Sequence, residues 1–287
     1  MAGSISEQIA EGSVEVVLGG GLEHFDMPTE QGNQTILDLA RANGYQVVNR
    51  LPDPAVAQAA SDQTNSRWLG LFASSHLPVK WRGSQDRKAE KPAPSLLNRL
   101  NGMIGEVTLP LPMTCEPNPL YAGTPALVEL TRFAIDQLKG SEQGFVLVVE
   151  SASIDKQSHE RKACGQIGEL EQLDDTVALA LEFAAKDADT LVLVTADHGQ
   201  AAQLVPEQSL FTGFGVPVYS PGYIVRLKTP EGALMAVNYA TNDFFVEEHT
   251  GVQVPLFANA AGVGAIPTLI NQHDLYGIMM TFLGLDH

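Results

Sequence analysis

Apolar residues fall into two kinds of run along the chain, one recurring every three or four residues and one short and unbroken. Their alternation predicts an α/β fold. Leu127, Leu130, Ala134 and Leu138 share one helical face; Thr124 can cap that helix with Pro125 at its first position, and Gly140 ends it. A shorter helix is expected over about Thr35 to Asn43, stopped by Gly44. Phe145 to Val149 and Leu191 to Val194 are short, apolar and rich in β-branched residues, which suits strands buried on both faces of a parallel sheet. Between them Ile167, Leu170, Leu173, Val177, Leu181 and Ala184 recur at helical spacing. Strand, helix, strand is a βαβ unit, and the predicted architecture is a central, mostly parallel sheet flanked by helices.

Open parallel sheets bind ligands beyond the carboxyl ends of their strands. Both predicted strands end in acidic residues, Glu150 with Asp155 five positions on, and Asp197-His198. These ends are expected to converge. His159 follows Asp155 by four, so the two face the same way on a helical turn and can grip one ion from one side. Both features have plainer readings: an Asp and a His four apart arise by chance, and Asp197 would serve equally as a helix cap. Of the seven histidines a third candidate is His249, which nothing local prefers over His24, His76, His273 or His287. Nitrogen and oxygen ligands without thiolate suit zinc, and a carboxylate such as Glu150 suits magnesium.

Length and composition narrow the picture. At 287 residues and 44% hydrophobic content the chain is expected to form a single domain over 1–287, with a polar-to-mixed surface insertion at 82–113. No apolar run approaches the roughly 20 residues of a membrane helix, and the first residues lack the pattern of a signal peptide. The net charge of -17, from 34 acidic and 17 basic residues, repels nucleic acid and anionic membrane. A phosphate substrate would need local positive charge, which bound metal can supply. Cys115 and Cys164 permit one disulfide or two unrelated buried thiols.

Several separated strings then stand in order. They are Val149-Glu150-Ser151-Ala152-Ser153-Ile154-Asp155-Lys156-Gln157-Ser158-His159, Cys164-Gly165-Gln166-Ile167-Gly168-Glu169, Thr195-Ala196-Asp197-His198 and Glu248-His249-Thr250-Gly251. With Gly3 to Gln8, Val17 to Gly21 and Leu69 to Ala73, they closely resemble the bacterial alkaline phosphatase family across nearly the whole chain. The resemblance implies a three-layer sandwich, an alkaline hydrolase of phosphate monoesters, two zinc ions and one magnesium ion. It implies Asp155, His159 and His249 on the first zinc, Asp197 and His198 on the second, Glu150 on magnesium, and Lys156 helping to orient phosphate. It also implies a Cys115–Cys164 disulfide, a periplasmic or secreted location, and a homodimer.

The family's nucleophilic serine, phosphate-clamping arginine, bridging aspartate and magnesium threonine lie N-terminal to the matched region and have no counterpart here. The chain is therefore expected to be incomplete at its N-terminus, with the serine upstream. Gln200 stands close to where the family often has a second histidine, a place from which it can tune phosphate or metal affinity. Two alternatives follow: a catalytically silent metal-binding fragment or half of a split phosphatase, and a related hydrolase of phosphodiesters or sulfate esters. Cys115-Glu116-Pro117-Asn118-Pro119 is superficially similar to the sulfatase cysteine motif, but that motif requires an arginine where Pro119 stands. Gly19 to Gly21 reads as a tight turn, since the spaced glycines of a nucleotide site are missing.

Overall fold

The structure, a computed structural model, describes residues 2–61, 67–206, 212–214, 219–246, 248–264 and 266–285. His287 lies outside the described residues. In chain order the elements begin with α1 (Ala2–Ala10), β1 (Val16–Gly19), α2 (Leu22–Phe25), α3 (Ile36–Ala42), β2 (Tyr45–Val48), α4 (Pro54–Ser61) and β3 (Arg67–Leu71). There follow β4 (Trp81–Gly83), β5 (Ala93–Pro94), α5 (Leu96–Leu100), β6 (Val107–Thr108), β7 (Cys115–Pro117), α6 (Leu127–Leu138), α7 (Ser153–His159) and α8 (Ala163–Ala184). The last part holds β8 (Leu193–Val194), β9 (Gly199–Gln200), β10 (Gln203–Val205), β11 (Ile224–Lys228), β12 (Leu234–Asn238), β13 (His249–Thr250), β14 (Phe257–Ala258), α9 (Ala260–Val263) and α10 (Asp274–Phe282). They form two compact units, Met1–Lys80 with Asn118–Glu150, and Trp81–Pro117 with Ser151–His287.

The first unit is α/β, with a parallel sheet in the order β1-β3-β2. Side chains alternate across a strand, so β3 feeds both faces. Leu69 and Leu71 pack with Ala10, Phe25, Ile36 and Ala40 of α1, α2 and α3. Trp68, on the opposite face, packs with Ala57 of α4 and meets Phe133 of α6 edge-on at 5.2 Å between ring centres. Helices therefore flank this sheet on both sides. The turn after β1 is tight: Gly21 has φ 89°, its N–H donates to the Ser75 carbonyl at 2.7 Å, and a Cβ on Gly20 would overlap that same carbonyl oxygen.

Helix α3 starts and stops as its sequence predicts. The Thr35 hydroxyl accepts from the Asp38 N–H at 3.1 Å, and Gly44 takes φ 87° just past the end. Helix α6 begins later than the predicted Thr124 cap, because the Glu129 carboxylate reaches back to the Ala126 N–H at 2.8 Å and sets the N-terminus there.

The second unit is built on antiparallel pairs: β10-β12-β11, β4-β7, β5-β6, β9-β13 and β8-β14. Its core gathers Ala89, Met113, Ala163, Cys164, Val225, Leu227, Val237 and Tyr239. Helix α8 lies against β4: a Cβ on Gly168 would overlap the Trp81 ring, and the Trp81 indole N–H donates to Glu171 at 2.8 Å. A disulfide between Cys115 of β7 and Cys164, with Cα atoms 5.3 Å apart, pins the start of α8.

Two expectations are corrected. Phe145–Val149 is not in a strand, and Val146 and Val148 are exposed; an apolar run becomes a strand only where a neighbour pairs with it. The Leu191–Val194 run gives the two-residue β8, which pairs antiparallel to β14, where Asn259 bonds both sides of Val192. No parallel βαβ unit is therefore formed around α8. The apolar spacing that announces α8 also lies outward at Ile167, Leu170 and Leu181, while Gly168, Glu169, Gln172, Thr176 and Leu179 are buried. Burial of that polar stripe is tolerated because Gln172 donates to Glu169 at 2.9 Å and Thr176 to the Gln172 carbonyl at 2.7 Å.

Candidate metal centre

Three short elements of the second unit deliver the candidate ligands. Helix α7 carries Asp155 and His159 one turn apart, so both side chains leave the same face. Strand β13 carries His249, and its partner β9 sets Gln200 directly opposite; His198 immediately precedes β9. Gly199 faces Thr250 in that ladder, where a Cβ would overlap Val252 and the Thr250 hydroxyl, so a larger residue there would have to displace both side chains.

The Asp155 Oδ1 atom is the hub. It lies 3.3 Å from His159 Nε2, 3.2 Å from His249 Nε2 and 3.8 Å from His198 Nε2. The His159 and His249 Nε2 atoms are 2.8 Å apart. The His198 and His249 rings stack with centres 3.6 Å apart and planes 21° from parallel. The Gln200 side-chain amide donates to Asp155 Oδ1. His198 Nδ1 lies 3.3 Å from the Gly199 carbonyl, which can only accept. A proton on Nδ1 suits that carbonyl, while Nε2 faces Asp155 and lies 3.3 Å from Asp197 Oδ2. Burial opposes the charge on nearby Lys162, but the carboxylates of Glu160 and Asp86 outweigh it and hold the ammonium above the usual lysine range.

The predicted residues divide accordingly. Asp155, His159, His198 and His249 come together, and Asp155, His198 and His249 offer ligand atoms all within 4.8 Å of one another. Asp197 is three-quarters exposed and touches the cluster through His198. Lys156 is the half-buried neighbour of Asp155 on α7. Glu150 is the exposed last residue of the first unit. Among the rival histidines, His24 stands beside Glu23 at 3.9 Å and His273 beside Asp274 at 3.3 Å, both well exposed. The buried Arg161, next to α7, is missed by sequence reasoning, because Glu160-Arg161-Lys162 reads as a solvated charged turn.

The donor set fits a small divalent cation. Ligand atoms at roughly 2.0–2.2 Å from zinc in a tetrahedron sit about 3.3–3.6 Å from each other. Asp155 Oδ1 stands 3.2 and 3.3 Å from the His249 and His159 nitrogens, at the lower edge of that spacing, and the two nitrogens, 2.8 Å apart, would have to separate slightly to share an ion. Imidazole and carboxylate without thiolate is a catalytic-type donor set.

Such a cluster, carried by the second unit, defines a candidate metal centre. The chain belongs to the alkaline phosphatase family, whose model, described as Alkaline phosphatase, matches residues 1–244. It is 38% identical to an alkaline phosphatase of Escherichia fergusonii, over 99% of this chain and 55% of the relative. It is 36% identical to one of Escherichia coli K12 over the same shares, and 35% identical to a streptomycin-6-phosphate phosphatase of Streptomyces griseus over 99% of this chain and 59% of that one. The alkaline phosphatase of the Antarctic bacterium TAB5 shares the fold, with a TM-score of 0.64 at 18% identity over 99% of this chain and 65% of its own. The chain thus spans little more than half the length of the curated relatives it matches.

Proposed function

We propose that this chain carries the metal-binding part of an enzyme that hydrolyses phosphate monoesters, with two zinc ions and one magnesium ion. The observation that carries the reading is the meeting of Asp155 Oδ1 with the Nε2 atoms of His159 and His249. Asp155, His159 and His249 would hold the first zinc, Asp197 and His198 the second, and Glu150 the magnesium. Bound, these ions supply Lewis acidity and a local positive field that an anionic ester otherwise lacks on a chain of net charge -17. Gln200 orients the Asp155 carboxylate, the Gly199 carbonyl holds the His198 tautomer, and Lys156 offers an ammonium to a phosphate oxygen. The nucleophilic serine is proposed to come from sequence outside these 287 residues. A TAB5 alkaline phosphatase variant solved with Mg bound supports a magnesium site in the family. The Cys115–Cys164 disulfide supports a periplasmic or secreted home, and among the described residues no helix is long and apolar enough to cross a membrane. A homodimer is proposed on the family resemblance alone.

The alternative reading is a metal-binding piece without turnover. One experiment addresses both. The purified chain, loaded with zinc and magnesium, is assayed for metal stoichiometry and affinity and for hydrolysis of p-nitrophenyl phosphate. Zinc bound by the wild-type chain and bound more weakly by His249→Ala supports the metal centre, and unchanged stoichiometry and affinity in that variant overturn it. Turnover would mean that a nucleophile lies within these residues, and its absence with zinc bound favours the silent piece.

A further inference from the structure

Arg161 follows α7 by two residues and is 3% exposed. Among the described residues no carboxylate forms an ion pair with it. Its guanidinium instead lies 3.9 Å over the centre of the Tyr223 ring. Its Nη2 points into the concave side of the 242–246 segment, 2.8 Å from Asn242 Oδ1, 3.0 Å from the Phe244 carbonyl, 3.2 Å from the Val246 carbonyl and 3.5 Å from the Asn242 carbonyl. One nitrogen with two protons is thus ringed by four acceptors. Carbonyl dipoles aimed at one point repel each other unless a cation occupies it, so the curvature of this segment is held by the guanidinium.

Arg161 is itself held. Its N–H donates to the Ser158 carbonyl at 2.7 Å, and its carbonyl accepts from the Ala89 N–H at 2.9 Å. Its φ of 59° lies in the left-handed region that a non-glycine residue seldom occupies, so a backbone cost is borne to aim this side chain. On one side, therefore, the residue closes the turn that ends the helix carrying Asp155 and His159. On the other it grips a segment ending three residues before His249, a reach of about 10 Å at most. The His249 backbone is paired through the two-residue β9-β13 ladder, which is weak alone.

We propose that Arg161 is a positioning residue: by clamping 242–246 it sets the His249 imidazole against His159 and Asp155. The proposal rests on the metal-centre reading above and predicts a specific route of failure. Arg161→Gly removes the guanidinium while relieving the backbone cost, and Arg161→Lys keeps a cation with three protons for the same carbonyls.

The test uses the full chain and two readouts. Hydrogen–deuterium exchange, measured without metal, should rise tenfold or more over 240–250 in Arg161→Gly and stay unchanged in α8 and β12. Zinc affinity, from chelator competition, should fall about ten- to hundredfold in Arg161→Gly, as for outer-sphere groups that orient a ligand, and recover partly in Arg161→Lys. In a His249→Ala background, Arg161→Gly should cost no further affinity. Equal losses in both backgrounds, or unchanged exchange over 240–250, would overturn the proposal. If the wild-type chain takes no zinc, the metal centre fails, and the metal-free exchange still decides the clamp. Should Arg161→Gly not fold, Asn242→Ala removes one acceptor and must shift both readouts in the same direction, less steeply.

Discussion

Gln200 donates its amide to Asp155 while its own Oε1 is buried without a hydrogen-bond partner among the described residues. An unpaired buried carbonyl is costly, and its place opposite His249 ties that cost to the cluster. Gln200→Ala should lower zinc affinity about ten- to hundredfold in chelator competition, and an unchanged affinity would show that Asp155 needs no orienting partner. Another residue-scale consequence concerns Tyr45, whose hydroxyl donates to the Val14 carbonyl in the core of the first unit. Burial pushes the Tyr45 phenol above its ordinary 10.0. A group with a raised folded pKa contributes stability that is fully present below the unfolded value and is lost as pH rises through the folded one. Thermal midpoints should therefore fall above about pH 10, and Tyr45→Phe should flatten that fall; an identical alkaline slope in the variant would rule out this cause.

Helix α8 shows where spacing alone misleads. Leu170 is 56% exposed and Leu179 is 8% exposed, although the apolar pattern runs through Leu170. Leu179→Ala should cost roughly 2–3 kcal/mol of unfolding free energy, and Leu170→Ala within about 0.5 kcal/mol, by urea titration; the reverse order would return the core to the apolar stripe. What the sequence discloses is local chemistry. Thr35 and Gly44 bracket α3 because cap and stop act within a few residues, and Asp155 with His159 share a face because helical spacing is a local property. What it conceals depends on partners distant in the chain. Phe145–Val149 has strand composition without becoming a strand, and Leu193–Val194 pairs antiparallel because Phe257–Ala258 is its neighbour. His249 is indistinguishable from His24 or His273 until β9 brings it within 2.8 Å of His159. Arg161 is hidden for the same reason, since its acceptors lie some eighty residues away.

At the scale of the molecule, charge and cross-links decide stability. The Cys115–Cys164 bridge closes a separation of 49 residues, and in the chain-entropy model its reduction should cost about 4 kcal/mol, read as a lower urea midpoint with dithiothreitol. Cations are harder to interpret, because a chain of net charge -17 repels itself and any salt relieves that repulsion. Specific and general effects separate by design. Sodium chloride should raise the thermal midpoint of the wild-type chain and of His249→Ala equally, since screening does not depend on one imidazole. Zinc at a hundred times its dissociation constant should stabilise the wild-type chain by a further 2.7 kcal/mol or about that, through binding only the folded state. His249→Ala should lose most of this increment while keeping the salt response, and chelation should erase it. A zinc increment equal in the two proteins would assign the effect to surface carboxylates and leave the Asp155 cluster without a role in it.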